Sequence, residues 1–164
     1  MNVEERVVEL KPKTGEGSIS TRARKKGIYL LPNLLTTGAL FCGFYAVLSG
    51  FSGQYQWACM AIFAALLFDG LDGRLARMTQ TESDFGAQYD SLSDMVSFGV
   101  APAVVAYGWG LSTLGKFGLA AAFVFASCAA LRLARFNVAT GTHNGAHFIG
   151  LPSPVGAALV AGLV

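Results

Sequence analysis

Asp69 to Asp94 reads DGLDGRLARMTQTESDFGAQYDSLSD, a polar island in an otherwise apolar chain. Upstream of it lies the run WACMAIFAALLF, from Trp57 to Phe68, and downstream lies MVSFGVAPAVVAYGWG, from Met95 to Gly110. Asp69 and Asp72 are three residues apart, and Asp90 and Asp94 are four apart. Either spacing puts a pair on one face of a helix. The intervening stretch, Met78 to Ser83, is short, which predicts two consecutive antiparallel helices whose four carboxylates face one another. At membrane depth each charged Asp costs ~2.5–3.5 kcal/mol, so four cost on the order of 10 kcal/mol before they repel one another. Apolar residues would pack better, so packing does not account for them.

Working outward, the whole chain has the composition of a membrane protein. Of 164 residues, 53% are hydrophobic and only 13% are charged, about half the charged share of a soluble domain. Mean hydropathy is +0.49. Apolar runs predict a first helix over 28–50, a second from Tyr55 into the acidic island, a third over 84–110 with Ser83 as its N-cap, and a fourth over 117–135. Pro32 is expected in the first turn of the first helix, where a missing N–H is harmless. Asn137–Gly150 reads as a polar connection, and Pro152 and Pro154 open a fifth apolar run over 155–164. Ten residues cross about half of a hydrocarbon core, so the chain is expected to be cut inside that helix. The fold class is therefore all-α: a polytopic transmembrane bundle of about five membrane helices, the last truncated.

Seven of the twelve basic residues precede residue 27. Residues 1–27 are read as a polar, partly disordered cytosolic tail ending in a basic cluster, Arg22 to Lys26. That cluster is either an interfacial segment drawn to anionic lipid or a topology anchor. Residues 28–164 form the membrane domain. Arg74, Arg77, Arg132 and Arg135 fall on the same side as the tail, and the opposite loops carry only Lys116. The positive-inside rule places that side, and the acidic island with it, in the cytosol. Cys42, Cys59 and Cys128 are far apart and read as small buried hydrophobes. His143 and His147 lack neighbouring ligands, which argues against a metal role.

Oxygen-only ligands suit Mg²⁺, Mn²⁺ or Ca²⁺. Four carboxylates make a reasonable two-metal site of the kind used on phosphates. Gly70, Gly73 and Gly86 interleave with the acids, either to let a bulky ligand reach the backbone or to let helices pack closely. Arg77 lies one turn beyond Gly73 and can pair with a phosphate or serve as an anchor.

Asp69, Asp72, Gly73, Ala76, Arg77, Gly86, Asp90 and Asp94 follow the spacing D-x2-D-G-x2-A-R-x8-G-x3-D-x3-D. This resembles the signature of the CDP-alcohol phosphatidyltransferase family at all eight positions. The resemblance implies a divalent-metal enzyme acting on CDP-linked lipids or alcohols. It implies that Asp69, Asp72 and Asp90 bind metal, Mg or Mn, and that Asp94 is the general base and also touches metal. It further implies that Gly73, Ala76, Arg77 and Gly86 line the nucleotide and its diphosphate.

LPNLLTTGALFCGF from Leu31, RLARFN from Arg132 and GLPSPVGAA from Gly150 resemble the phosphatidylserine synthase branch of that family. That branch implies CDP-diacylglycerol and L-serine as substrates, with phosphatidylserine and CMP as products. Asn33 and Thr36 either meet the cytidine or cap the helix. Arg132 and Arg135 either bind the lipid phosphate or serine carboxylate or act as anchors. One alternative keeps the chemistry with glycerol 3-phosphate or inositol phosphate as acceptor. Another is a divalent-cation transporter or channel, which would need neither Arg77 nor the glycines. The expected setting is the cytoplasmic membrane, multi-pass, with membrane lipid and a second copy of the chain as neighbours and no nucleic acid.

Overall fold

A computed structural model describes residues 18–79, 83–141 and 152–164, and every regular element among them is helical. The order is α1 (Ser18–Phe51), α2 (Tyr55–Thr79), α3 (Asp84–Asp94), a π-helical stretch (Met95–Val100), α4 (Ala101–Trp109), a 3₁₀ turn (Leu111–Leu114), α5 (Lys116–Gly141) and α6 (Ser153–Leu163).

Helix α1 starts ten residues before the expected Ile28 and takes the basic cluster into the helix. Gly27 costs a helix about 1 kcal/mol, too little to stop it. Pro32 consequently lies inside the helix, not in its first turn. The helix ends where Gly53 adopts φ +73°, with Gln54 N–H bonded to the Ser49 carbonyl at 2.9 Å and Gly53 N–H to Gly50 at 3.1 Å. This pair of bonds closes the last carbonyls, and the left-handed residue between them favours glycine. The chain reverses there, and α1 packs most extensively on α2.

The expected third helix over 84–110 is interrupted. Directly after Asp94 the turns widen, and the Ala101 N–H bonds the Val96 carbonyl five residues back. Pro102 accounts for this locally, because its ring has no N–H and crowds the carbonyl one turn upstream. Ser97 in this stretch sits so close to α1 that a Cβ at Gly43 would lie 2.7 Å from the Ser97 Cα. Helix α5 runs past Arg135 to Gly141, so Asn137 to Gly141 belong to a helix and not to a polar connection. His143 and His147 lie outside the described residues.

The core is built of small residues. Ala46, Ala58, Ile62, Ala65, Phe98, Ala101, Val105, Ala157 and Ala161 join α1, α2, α4, α6 and the π-helical stretch. Small side chains let backbones approach, as membrane helices require. The outside is apolar as well: Phe41 is 67% exposed, Phe117 85% and Leu131 70%. Leu31–Phe51 and Lys116–Val138 are each long and apolar enough to cross a bilayer. Cys59 is buried as expected and Cys42 half-buried, but Cys128 is exposed, on the apolar exterior of α5.

Candidate active site

The backbones of α2 and α3 hardly approach each other, and each packs on α1. The two consecutive helices leave a gap between their backbones, and their acidic side chains meet across it. Ser83 caps α3, accepting a 3.0 Å bond from the Gly86 N–H. Asp84 in the first turn suits the positive end of the helix.

Asp69, Asp72 and Asp90 offer carboxylate oxygens that all lie within 4.8 Å of one another. Asp72 is buried and the other two are half-buried. At that separation and an effective dielectric of 20, each like-charged pair repels by about 3 kcal/mol. Three hard oxygen donors converging in this way fit a divalent cation such as Mg²⁺ or Mn²⁺. Asp94 stands apart from this triad, and its carboxyl meets that of Asp69. A cation between the acids would offset the repulsion that keeps four carboxylates from sharing one gap.

A cavity of about 270 Å³ opens beside the triad. Its walls hold Asn33 and Thr36 from α1, Asp72, Gly73, Ala76 and Arg77 from α2, and Gly86 and Asp90 from α3. Six of the eight signature positions thus line one space. Gly73 and Gly86 part company here. A Cβ on Gly73 would meet nothing within 4 Å, so no neighbouring helix demands that glycine. A Cβ on Gly86 would sit 3.1 Å from Ser83 Oγ and 3.5 Å from Asn33 Oδ1, so Gly86 serves the cap and the approach to α1.

Thr36 is buried and donates from Oγ1 to Asp72 Oδ2 at 2.9 Å. Ser93 Oγ donates to the Thr36 carbonyl at 3.2 Å. Thr37 and Tyr89 share a hydroxyl–hydroxyl bond of 2.9 Å. Sequence reasoning passed over Ser93 and Tyr89, and over Pro32, Ser83 and Ala87 as cavity walls. The available signal for Ser93 was its place three residues after Asp90, on the same helical face.

Arg132 and Arg135 do not line this cavity. Arg132 is half-buried and donates to Ser153 Oγ at 2.6 Å, joining α5 to the start of α6. Arg135 is exposed. Close by, Ser91 Oγ donates to Asn137 Oδ1 at 3.1 Å, joining α3 to α5.

Comparison with known proteins matches residues 29–164 to the CDP-alcohol phosphatidyltransferase family. A Helicobacter pylori protein named CDP-diacylglycerol–serine O-phosphatidyltransferase is 44% identical over 133 residues, covering 81% of this chain and 56% of that protein. A Methanocaldococcus jannaschii protein of the same name is 52% identical over 101 residues, covering 62% and 47%. An archaetidylserine synthase of Methanothermobacter thermautotrophicus is 39% identical over 133 residues, covering 80% of this chain. The chain spans about half the length of the curated relatives it matches. The matched region contains every carboxylate between α2 and α3 and every wall of the cavity beside them, and on that extent of similarity the chain belongs to the CDP-alcohol phosphatidyltransferase family.

Proposed function

We propose that this protein transfers the phosphatidyl group of CDP-diacylglycerol to L-serine, forming phosphatidylserine and CMP. The observation that carries the reading is the Asp69, Asp72 and Asp90 triad opening onto a cavity walled by Gly73 and Arg77. The printed names of the relatives point to serine as the acceptor.

Asp69, Asp72 and Asp90 would hold divalent metal, Mg or Mn, and with Asp94 they offer enough oxygens for a two-metal site. When bound, the metal neutralises the diphosphate and stabilises charge on the departing CMP. Gly73 lets the diphosphate reach the α2 backbone, and Arg77 pairs with it. Ala76 and Gly86 complete the nucleotide wall, and Asn33 meets the cytidine. Asp94, outside the triad, takes the proton from the serine hydroxyl. The serine oxygen then bonds to the phosphorus on the diacylglycerol side as the bond from that phosphorus to the CMP oxygen breaks. Arg132 or Arg135, outside the cavity walls, would take the serine carboxylate in a two-pronged guanidinium contact.

The chain would sit in the cytoplasmic membrane as a multi-pass bundle of about five helices, residues 28–164, with the basic segment before it and the active site on the cytosolic face. Its apolar exterior, and Arg77 in the cavity wall, support that placement. Membrane lipid surrounds it, and a homodimer is proposed.

The test supplies the purified full-length membrane protein with CDP-diacylglycerol, Mn²⁺ and, in separate reactions, serine, glycerol 3-phosphate or inositol phosphate. Mass spectrometry identifies the lipid made. Phosphatidylserine with stoichiometric CMP, from serine alone, is the expected result. A product from another acceptor in place of phosphatidylserine overturns the serine assignment.

A further inference from the structure

Thr36 touches both acidic helices, α2 and α3. Its hydroxyl reaches Asp72 on α2 at 2.9 Å, and its carbonyl receives Ser93 from α3 at 3.2 Å. The backbones of these helices scarcely approach each other while each packs on α1, so contacts through α1 help to set how far apart their carboxylates stand. Thr36 is 4% exposed, Asp72 4% and Ser93 1%, so water does not compete for these bonds.

The threonine rotamer is restricted as well. Oγ1 also lies 3.1 Å from the Pro32 carbonyl four residues back, an orientation that β-branched threonine favours in a helix. The hydroxyl has one proton for two acceptors. The carboxylate is the nearer and the charged one, and charge-assisted bonds are the stronger. The proton therefore goes to Asp72.

We infer that Thr36 is a positioning residue for the carboxylate triad: its hydroxyl orients Asp72 toward Asp69 and Asp90, while Ser93 ties the same residue to the helix that carries Asp90. This rests on the proposed metal reading of the triad and adds to it a hydroxyl outside the ligand set. Groups that orient a metal ligand typically change metal affinity 10- to 100-fold when removed.

The test is Mn²⁺ binding without lipid substrate, followed as loss of the free Mn²⁺ resonance when purified protein in detergent is titrated. Thr36→Val keeps the shape and removes the hydroxyl, and it should weaken Mn²⁺ binding by about 10-fold or more. Thr36→Ser restores the hydroxyl and should bind within about threefold of the parent, as expected where the orienting bond itself carries the effect. Thr36→Ala is measured beside them, so that a poorly folding valine variant does not decide the outcome. In an Asp72→Asn background, Thr36→Val should cause no further loss, because two groups acting through one bond are not additive. Mn²⁺ affinity within twofold of the parent in the valine and alanine variants overturns the inference and leaves the metal reading standing. So does equal weakening in Thr36→Ser. A parent protein that binds no Mn²⁺ overturns the metal reading and this inference with it.

Discussion

Gly73→Ala separates a ligand-facing glycine from a packing glycine. Alanine is the better helix former by about 1 kcal/mol, and at this position the new methyl meets no protein atom within 4 Å. Stability should therefore hold or rise. The same methyl projects into the wall of the 270 Å³ cavity, beside Asp72 and one turn from Arg77. If the diphosphate rests against this backbone, the methyl must push it away. Overpacking of a close contact costs about 1–3 kcal/mol, and every 1.4 kcal/mol is tenfold in affinity. The dissociation constant for CDP-diacylglycerol should thus rise by roughly 5- to 150-fold on that conversion. Equilibrium binding of the lipid nucleotide measures it, with a thermal melt of the same preparation in detergent as the control. An unchanged affinity with an unchanged or higher melting temperature would refute the claim that the nucleotide lies against Gly73.

Gly43→Ala should behave the opposite way. Its Cβ would press on Ser97 Oγ, with the Ser97 Cα 2.7 Å away, and backbone cannot swing aside. A loss of about 1–3 kcal/mol is expected, seen as a lower unfolding midpoint; an unaltered midpoint would mean that α1 and the π-helical stretch are not in register as described. Alanine at Asp69, Asp72 or Asp90 should abolish transfer and weaken Mn²⁺ binding, whereas Asp94→Asn should keep CDP-diacylglycerol binding and lose turnover. Mn²⁺ titration and single-turnover rates distinguish them, and near-normal metal affinity in all three alanine variants would dismiss the triad as a metal site. Lysine at Arg132 or Arg135 should raise the KM for serine several-fold at one of the two positions, with little change for CDP-diacylglycerol, because lysine cannot make a planar two-pronged contact. Unchanged serine KM in both variants would remove the arginines from the acceptor site.

Much of the site was legible because its signals are local. The i, i+3 and i, i+4 spacings depend on helical pitch alone, and Ser83 capped its helix as its residue type and position predicted. Segment boundaries were less legible. Gly27 and the charges before it suggested a tail, but a helix that has already nucleated crosses such a residue at small cost. Pro102 offered a hint of the widened turns after Asp94, yet the widening itself depends on where α1 presses on Ser97. The glycines of the signature looked alike in sequence. Only their neighbours divide them, open space at Gly73 and the Ser83 hydroxyl at Gly86.

The amino-acid order by itself determined that this chain is helical and apolar, and that four acidic residues share one polar island at helical spacing. Those properties follow from periodicity and transfer free energy, which act within a segment. The tertiary structure alone decided which acids converge. It brought Asp69, Asp72 and Asp90 within 4.8 Å and left Asp94 outside the triad. It also held the two acidic helices apart on α1 and placed Thr36 between them. The reason is that distances between helices depend on how closely backbones can approach, at Gly43 against Ser97 for example, and on hydrogen bonds between residues 36 and 57 positions apart in the chain. No local pattern encodes such pairings.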